Sequence, residues 1–594
     1  MKRIFLTLFM SLGFTAVTAQ NSGKVSVTGA GEADPYALEA LEALLDTIDT
    51  DGIREVYIGE RGDGSVSAWF GKIPSAADGF YVAVGDGRVV VAGSNGRGTL
   101  YGVDELARVV AAHPAGAAEV FETADAPRIA SRGVVEGFYG TPWSHKARLG
   151  QLDFYRMCRM NTYIYGPKDD PYHSSPHWRE PYPEREAAQI AELADRARRN
   201  GVDFVWAVHP GKDIRWDGND LDSLLCKFSQ MYDLGVRSFA VFFDDISGDG
   251  TDPKRQAELL NALDRRFVKV KGDVAPLIMC PTEYNKSWSD PKKGYLSTLG
   301  RKLDPSVRIM WTGDRVVSDI TEDGLRWIEG QIGRPAYIWW NFPVSDYVRD
   351  HMLMGRVYGL TAEGTDMMSG FVTNPMEHAE ASKAAIYSVG RYCWNPSAFD
   401  SIQSWEEALC LLMPHDYKAL RIFAEHNSDM GKTGHKYRRE ESVSVEKTAA
   451  EALEAYSKGQ TGHNTVSLLG RMSGVFRDIV AAADILLQSH DNDALVEELR
   501  PWLMRFKILG QEGRAVTDLA VASCVVKNAG PDADTTMWRQ DVELAEKHVE
   551  VLRCMADEID STYNRNQYQP GIKCATKVLQ PFVDSLSVMV FEGE

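Results

Sequence analysis

The chain has 594 residues, with 65 basic against 84 acidic side chains and a formal net charge of −19 at pH 7. That length exceeds what one hydrophobic core fills and divides into about three or four domains. The acid surplus excludes nucleic acid as an expected partner, because phosphates need a basic face. An uncharged ligand fits better, held by some of the 14 Trp, 23 Tyr and 22 Phe, since polyhydroxy ligands are gripped by aromatic faces with convergent polar groups.

At the start, Lys2 and Arg3 precede an apolar run from Ile4 to Phe14 and small residues at Ala16 and Ala19. This is the pattern of a secretory signal over 1–19, and the run is too short for a membrane span. A secreted or periplasmic protein without membrane insertion is expected. The eight cysteines are scattered without paired spacing and read as buried thiols, not as a disulfide frame or a zinc site.

Residues 20–125 read as a small α/β domain. A strand is expected at 55–58, a hairpin of 81–84 and 88–92 through Gly85-Asp86-Gly87, and a helix over 98–112. Gly93, Gly96 and Gly98 miss the order of a dinucleotide fingerprint and read as turns. Arg61-Gly62-Asp63 reads as a glycine-rich turn, not an adhesion motif.

From 126 to 435 the pattern repeats strand, loop and helix. Strands are expected at 132–139, 161–165, 202–208, 236–243, 276–280, 307–312, 336–340 and 370–373, with helices such as 184–199, 221–234 and 254–269 between them. Eight strands separated by helices predict a closed parallel (β/α)8 TIM barrel, whose chemistry gathers on the loops after the strands. Beyond about 376 the strand signal stops. Segments 377–392, 404–412, 443–457, 466–488, 502–525 and 537–563 are helical in period, so 436–594 is expected to form an α-helical bundle.

The stretch Val241-Phe242-Phe243-Asp244-Asp245-Ile246 concentrates the chemistry: a buried apolar strand ends in two adjacent carboxylates. Successive strand side chains point to opposite faces, so both acids serve one pocket only if the strand ends, bends or bulges there. Two like charges held close also raise the proton affinity of at least one, as a general acid near neutral pH requires. The other strand ends are polar and aromatic too: Glu136 to Trp143, Tyr165 to Asp170, His209 to Lys212, Cys280 to Asn285, Trp311 to Asp314, Trp339 to Asp346, and Thr373 to Pro375. Eight consecutive ends of this type converge on one barrel mouth.

Four runs carry a family resemblance: Arg132-Gly133-Val134-Val135-Glu136-Gly137-Phe138-Tyr139-Gly140, Tyr165-Gly166-Pro167-Lys168-Asp169-Asp170, Phe243-Asp244-Asp245-Ile246, and Trp339-Trp340-Asn341. The chain resembles glycoside hydrolase family 84, the β-N-acetylglucosaminidases usually called O-GlcNAcases, from the small N-terminal domain into the helical region. The resemblance implies retaining hydrolysis of terminal β-linked N-acetylglucosamine on glycans or glycoproteins, with no cofactor and no metal. The substrate's own 2-acetamido oxygen attacks the anomeric carbon and forms an oxazoline. Asp244 is then expected to orient the acetamido nitrogen, and Asp245 to act as general acid and base. By the same resemblance Gly137, Lys168, Asn341, Asp346 and Asn374 contact sugar hydroxyls, and Tyr284 positions the acetamido group. Cys280, Thr312 and Trp339 line the acetyl recess, with Tyr139 and Val316 near the mouth.

Other chemistries compete for the same residues. Asp245-Ile246-Ser247-Gly248-Asp249-Gly250 partly imitates a calcium loop, but Ser247 holds the third ligand place and Gln256 stands where a bidentate Glu is wanted. His173, His177 and His209 are conceivable metal ligands of a hydrolytic barrel, against a reading as loop and strand-end histidines. A sugar-binding protein without turnover would keep the pocket, and the intact Asp244-Asp245 pair argues against it.

Overall fold

The computed structural model describes residues 25–48, 50, 52–112, 120–528, 536–566 and 569–591. The signal segment expected at 1–19 lies outside the described residues. The N-terminal domain is a five-stranded sheet in the order β1-β2-β4-β3-β5, built from β1 (Ser26–Thr28), β2 (Glu55–Glu60), β3 (Phe80–Gly85), β4 (Arg88–Gly93) and β5 (Phe121–Asp125). The expected hairpin is β3–β4, paired antiparallel with Gly85 opposite Arg88. The glycine-rich segment after β4 opens the helix Gly96–Ala112. Its Leu100, Val103 and Leu106 are buried against this sheet.

All eight barrel strands are present: β6 (Arg132–Glu136), β7 (Thr162–Tyr165), β8 (Asp203–Val208), β9 (Ser238–Phe242), β10 (Ile278–Cys280), β11 (Arg308–Trp311), β12 (Ala336–Trp340) and β13 (Met368–Thr373). They close as a parallel barrel, β13 pairing with β6. Strand alternation sorts their side chains into two cores. Val135, Ile164, Val205, Ala240, Phe242, Met310, Trp339 and Val372 fill the barrel interior. Val134, Tyr163, Phe204, Phe239, Ile309 and Ile338 face the surrounding helices.

Those helices form where period and charge agree. Helix Glu184–Arg199 carries Glu184 and Glu186 in its first turn and Arg196, Arg198 and Arg199 in its last, which suits the helix dipole, and buries Ile190, Leu193, Ala194 and Ala197. Helix His145–Met157 is capped by Ser144, whose side chain accepts from the Ala147 N–H at 3.1 Å. The expected helix over 254–269 is Pro253–Leu263, followed by a π-helical stretch at Asp264–Val268.

The C-terminal region is helical: Val443–Ser457, His463–Gln488, Asp493–Asn528, Thr536–Tyr563 and Leu579–Phe591. Two expectations are corrected there. The helix expected to begin at 502 begins at Asp493 and runs through Pro501, because buried Leu495, Val496 and Leu499 make its first turns part of the core despite the missing N–H. Strand pairing also recurs in a two-stranded pair, β14 (Asn564–Asn566) and β15 (Gln569–Pro570). All eight cysteines are free thiols, but Cys226 and Cys554 are exposed, against the expected burial. Among the described residues no helix is long and apolar enough to cross a membrane.

Candidate active site

β9 stops at Phe242, two residues before the acids. Phe242 points into the barrel and Phe243 toward the helices; continued alternation would send Asp244 inward and Asp245 out. Asp245 instead takes φ +51°, a left-handed conformation, and both carboxylates line one pocket. The departure expected at the strand end is therefore a turn at the second aspartate.

That pocket, about 360 Å³, sits at the carboxyl mouth of the barrel and brings together every residue expected there. Asp244 lies at depth, 5% exposed. One of its oxygens, Oδ2, accepts from Lys168 Nζ. The other, Oδ1, is buried without a hydrogen-bond partner. Burial pushes the Asp244 carboxyl up, but the Lys168 ammonium outweighs it and holds the group at about 2. Lys168 is pushed down by burial and raised overall by Asp244 and Asp245. The rise in proton affinity expected for at least one of the two acids is not at Asp244, where a buried cation lowers it.

Asp245 is exposed at the mouth and tethered on both oxygens. Tyr139 Oη donates to Oδ2 and Tyr284 Oη to Oδ1, each at 2.8 Å. Burial, followed by the charges of Asp245 and Asp244, pushes both phenols up, so both remain donors.

The walls follow from local constraints. A Cβ on Gly137 would lie 2.3 Å from Trp339 Cζ2, so only glycine lets that indole reach the pocket. Trp339 Nε1 donates to Asn341 Oδ1 at 2.9 Å, and Asn341 Nδ2 to the Val316 carbonyl at 2.8 Å. Asn374 Nδ2 donates to Asn341 Oδ1 at 3.0 Å, and its own Oδ1 accepts the Gly137 N–H at 3.3 Å. Asp346 Oδ2 accepts the Tyr139 N–H at 2.9 Å, and burial raises the Asp346 carboxyl. Cys280 is 1% exposed and its thiol is pushed up by burial. Thr312 Oγ1 donates to the Arg315 carbonyl at 3.0 Å. Lys168 is no solvated surface residue, with its side chain 6% exposed.

Five further residues line the pocket: Trp288, Val317, Val344, Tyr347 and His435. Trp288, 52% exposed, stacks edge-on to Tyr284 at 5.0 Å and was legible as the aromatic residue four positions further along the same strand-end loop. His435 had no local signal. It arrives from the segment between two helices and packs on Tyr347 at 4.6 Å.

Neither competing ion site is assembled. Gln256 is buried and donates from Nε2 to the Gly250 carbonyl and to Thr282 Oγ1, bracing the loop instead of facing an ion. His177 is paired with Glu180 at the surface, apart from His173 and His209. Among the described residues no cluster of three or more His, Cys, Asp or Glu side chains is placed to hold a metal.

A parallel (β/α)8 barrel with paired aspartates and a ring of polar and aromatic side chains at its carboxyl mouth is the architecture of a glycoside-processing enzyme. A family model described as beta-N-acetylglucosaminidase matches residues 132–425, and another described as the post-catalytic domain of bacterial GH84 matches 441–587. The chain belongs to glycoside hydrolase family 84. It is similar to the solved structures of CpGH84B, with 29% identity, a TM-score of 0.81 and coverage of 96% of this chain and 98% of that one, and of CpGH84D, with 27% identity, a TM-score of 0.83 and coverage of 96% and 95%. The mouse protein described as Protein O-GlcNAcase is 33% identical over 288 residues, 47% of this chain and 31% of that protein. The match thus spans about a third of the length of that curated relative.

Proposed function

We propose that this protein is a retaining β-N-acetylglucosaminidase that removes terminal β-linked N-acetylglucosamine, including O-GlcNAc on protein, by substrate-assisted catalysis. The observation that carries this reading is the asymmetry of the acid pair. Asp244 is buried, lines the pocket, is held ionised by Lys168, and has one oxygen without a hydrogen-bond partner. Such an oxygen accepts an N–H from a bound ligand, and the acetamido nitrogen of the sugar supplies one. A volume of about 360 Å³ lies at the small end of ligand pockets and suits a single sugar ring.

In the first step the acetamido carbonyl oxygen attacks the anomeric carbon while the glycosidic C–O bond breaks. Asp245, at the open side, gives its proton to the leaving oxygen. The positive charge that develops on the acetamido nitrogen is met by Asp244. Because the nucleophile is tethered, its effective concentration reaches on the order of 10⁵ M or more in well-oriented cases. In the second step water attacks the anomeric carbon, Asp245 takes the water's proton, and the oxazoline reopens with configuration retained. Gly137, Asn341, Asp346 and Asn374 hold the hydroxyls; Cys280, Thr312 and Trp339 receive the acetyl methyl.

The test is hydrolysis of chromogenic β-N-acetylglucosaminides compared with the corresponding 2-hydroxy glucosides. Turnover confined to the acetamido series, with the β-anomer as first product by NMR, is expected. Equal turnover of both series, or a sugar ester trapped on a side chain, overturns it. Export is proposed as well, supported by the pattern of residues 1–19; N-terminal sequencing of the mature protein from the native host tests it.

A further inference from the structure

Two histidines buried behind Asp244 take no part in the reaction as written above. His209 follows β8, is 2% exposed, and faces the main-chain carbonyl oxygen of Asp244 with Nε2 at 2.7 Å. A carbonyl only accepts, so the proton is on Nε2 and Nδ1 is a bare acceptor. Nδ1 is buried without a partner. The same Nε2 stands 3.6 Å from Asp244 Oδ1, beyond hydrogen-bond reach, and leaves that oxygen without a partner.

His173 repeats the arrangement. Its Nδ1 meets the Ala207 carbonyl oxygen at 2.6 Å, so its proton is there, and its Nε2 is likewise buried without a partner. The rings are 6.3 Å apart, and the His209 N–H donates to the His173 carbonyl at 2.8 Å. Burial lowers both imidazoles, His173 to about 3, so neither competes with Lys168 as the cation beside Asp244.

We propose that His209 is the positioning residue of the aspartate pair: its Nε2–H pins the peptide that joins Asp244 to Asp245, holds the left-handed turn at Asp245, and keeps Asp244 Oδ1 open for the substrate's N–H. A side chain adopts that turn only when its surroundings hold it, and the pinned carbonyl is the atom that must move if the turn relaxes. The inference rests on the roles given above to Asp244 and Asp245.

The experiment uses the full-length chain with His209→Phe, which removes the donor, and His209→Gln, which returns an N–H at similar reach. Aryl β-N-acetylglucosaminides of graded leaving-group ability are assayed beside thermal melts. His209→Phe is expected to lower kcat by up to roughly 100-fold, the cost of misplacing a reacting group by about 1 Å. KM changes little, dependence on the leaving group steepens, and Gln recovers most of the loss. A folded His209→Phe enzyme within about twofold of wild-type kcat and with wild-type leaving-group dependence, or a Gln variant no better than Phe, overturns the inference. If Phe prevents folding, Gln is compared with His209→Asn, too short to reach the carbonyl; equal kcat for the two overturns it. If Asp244→Asn and Asp245→Asn themselves leave kinetics unchanged, the functional reading fails and this inference with it. Impaired aspartate variants beside unimpaired His209 variants reject this inference alone.

Discussion

The barrel buries an aspartate at each end, and the two are finished differently. At the amino end Asp78, from the N-terminal domain, is 2% exposed and fully engaged: Oδ2 accepts from Arg132 at 3.0 Å and Asn161 at 2.8 Å, Oδ1 from Asn95 at 3.1 Å and Arg97 at 3.5 Å. At the carboxyl end Asp244 has one cation and one empty oxygen. Both carboxyls are raised by burial and lowered on balance by the cations beside them. Charge therefore does not separate a structural acid from a chemical one. Saturation of its lone pairs does: Asp78 locks two domains together, and Asp244 keeps a valence for something that arrives.

The largest effects expected from this contrast are catalytic. Asp245→Asn should lower kcat/KM by ~10²–10⁴-fold for poor leaving groups, the range of general acid catalysis. Asp244→Asn should lose ~10²–10³-fold and weaken oxazoline-shaped inhibitors. Asp245→Asn should melt near the wild-type temperature, whereas Asp244→Asn strands the buried Lys168 ammonium and should melt lower. Wild-type rates from either one would erase the distinction between the two ends.

Asp78→Ala should invert the pattern, because it strands Arg132, which has no exposed surface. A loss of about 3–5 kcal/mol is expected for breaking a buried pair, read by urea unfolding, with kcat per folded molecule unchanged. A stable but inactive Asp78→Ala protein would contradict the assignment of this end to structure.

A third buried acid sharpens the comparison, being held by main-chain N–H groups. Glu441, 2% exposed, accepts the N–H groups of Lys577 at 2.7 Å and Asp429 at 3.2 Å. Burial, against these hydrogen bonds and with the Asp429 charge, pushes it from 4.5 up to about 7. The folded state holds this proton more tightly than the unfolded chain, so the contribution is complete below pH 4.5 and is lost as pH rises through 7. It amounts to about 3 kcal/mol at 1.36 kcal/mol per unit. Thermal melts from pH 4.5 to 8 should decline in the wild type and less steeply in Glu441→Gln, the remainder coming from Glu498, which burial also raises to about 7; parallel declines would remove Glu441 as a cause.

The smallest effect expected is at the thiols. Iodoacetamide should label exposed Cys226 and Cys554 and spare Cys280, whose thiol is buried and raised. Activity should persist after labelling, and alkylated Cys280 by mass spectrometry would show the acetyl recess to be open.

The strands were legible because each is an apolar run closed by polar residues, and strand ends in a parallel barrel meet at one mouth whatever the details. That placed Asp244, Asp245, Lys168 and Trp339 at one mouth, while the choice of pocket residues, Val316 among them, came from the family resemblance. Helix His463–Gln488 was legible from its three/four spacing. Boundaries were less so: Phe138, Tyr139, Phe243 and Thr312 were expected inside strands that end at Glu136, Phe242 and Trp311.

By itself the sequence determined the barrel, the order of its strand ends and the adjacency of the two aspartates, since period and spacing are local properties. Only the tertiary structure decided which lone pairs are left open. Lys168 lies 76 residues from Asp244, His435 reaches the pocket from beyond the eighth strand, and the turn at Asp245 rests on a carbonyl held by His209. Each depends on distances across the closed barrel, and a pattern read along the chain contains no such distance.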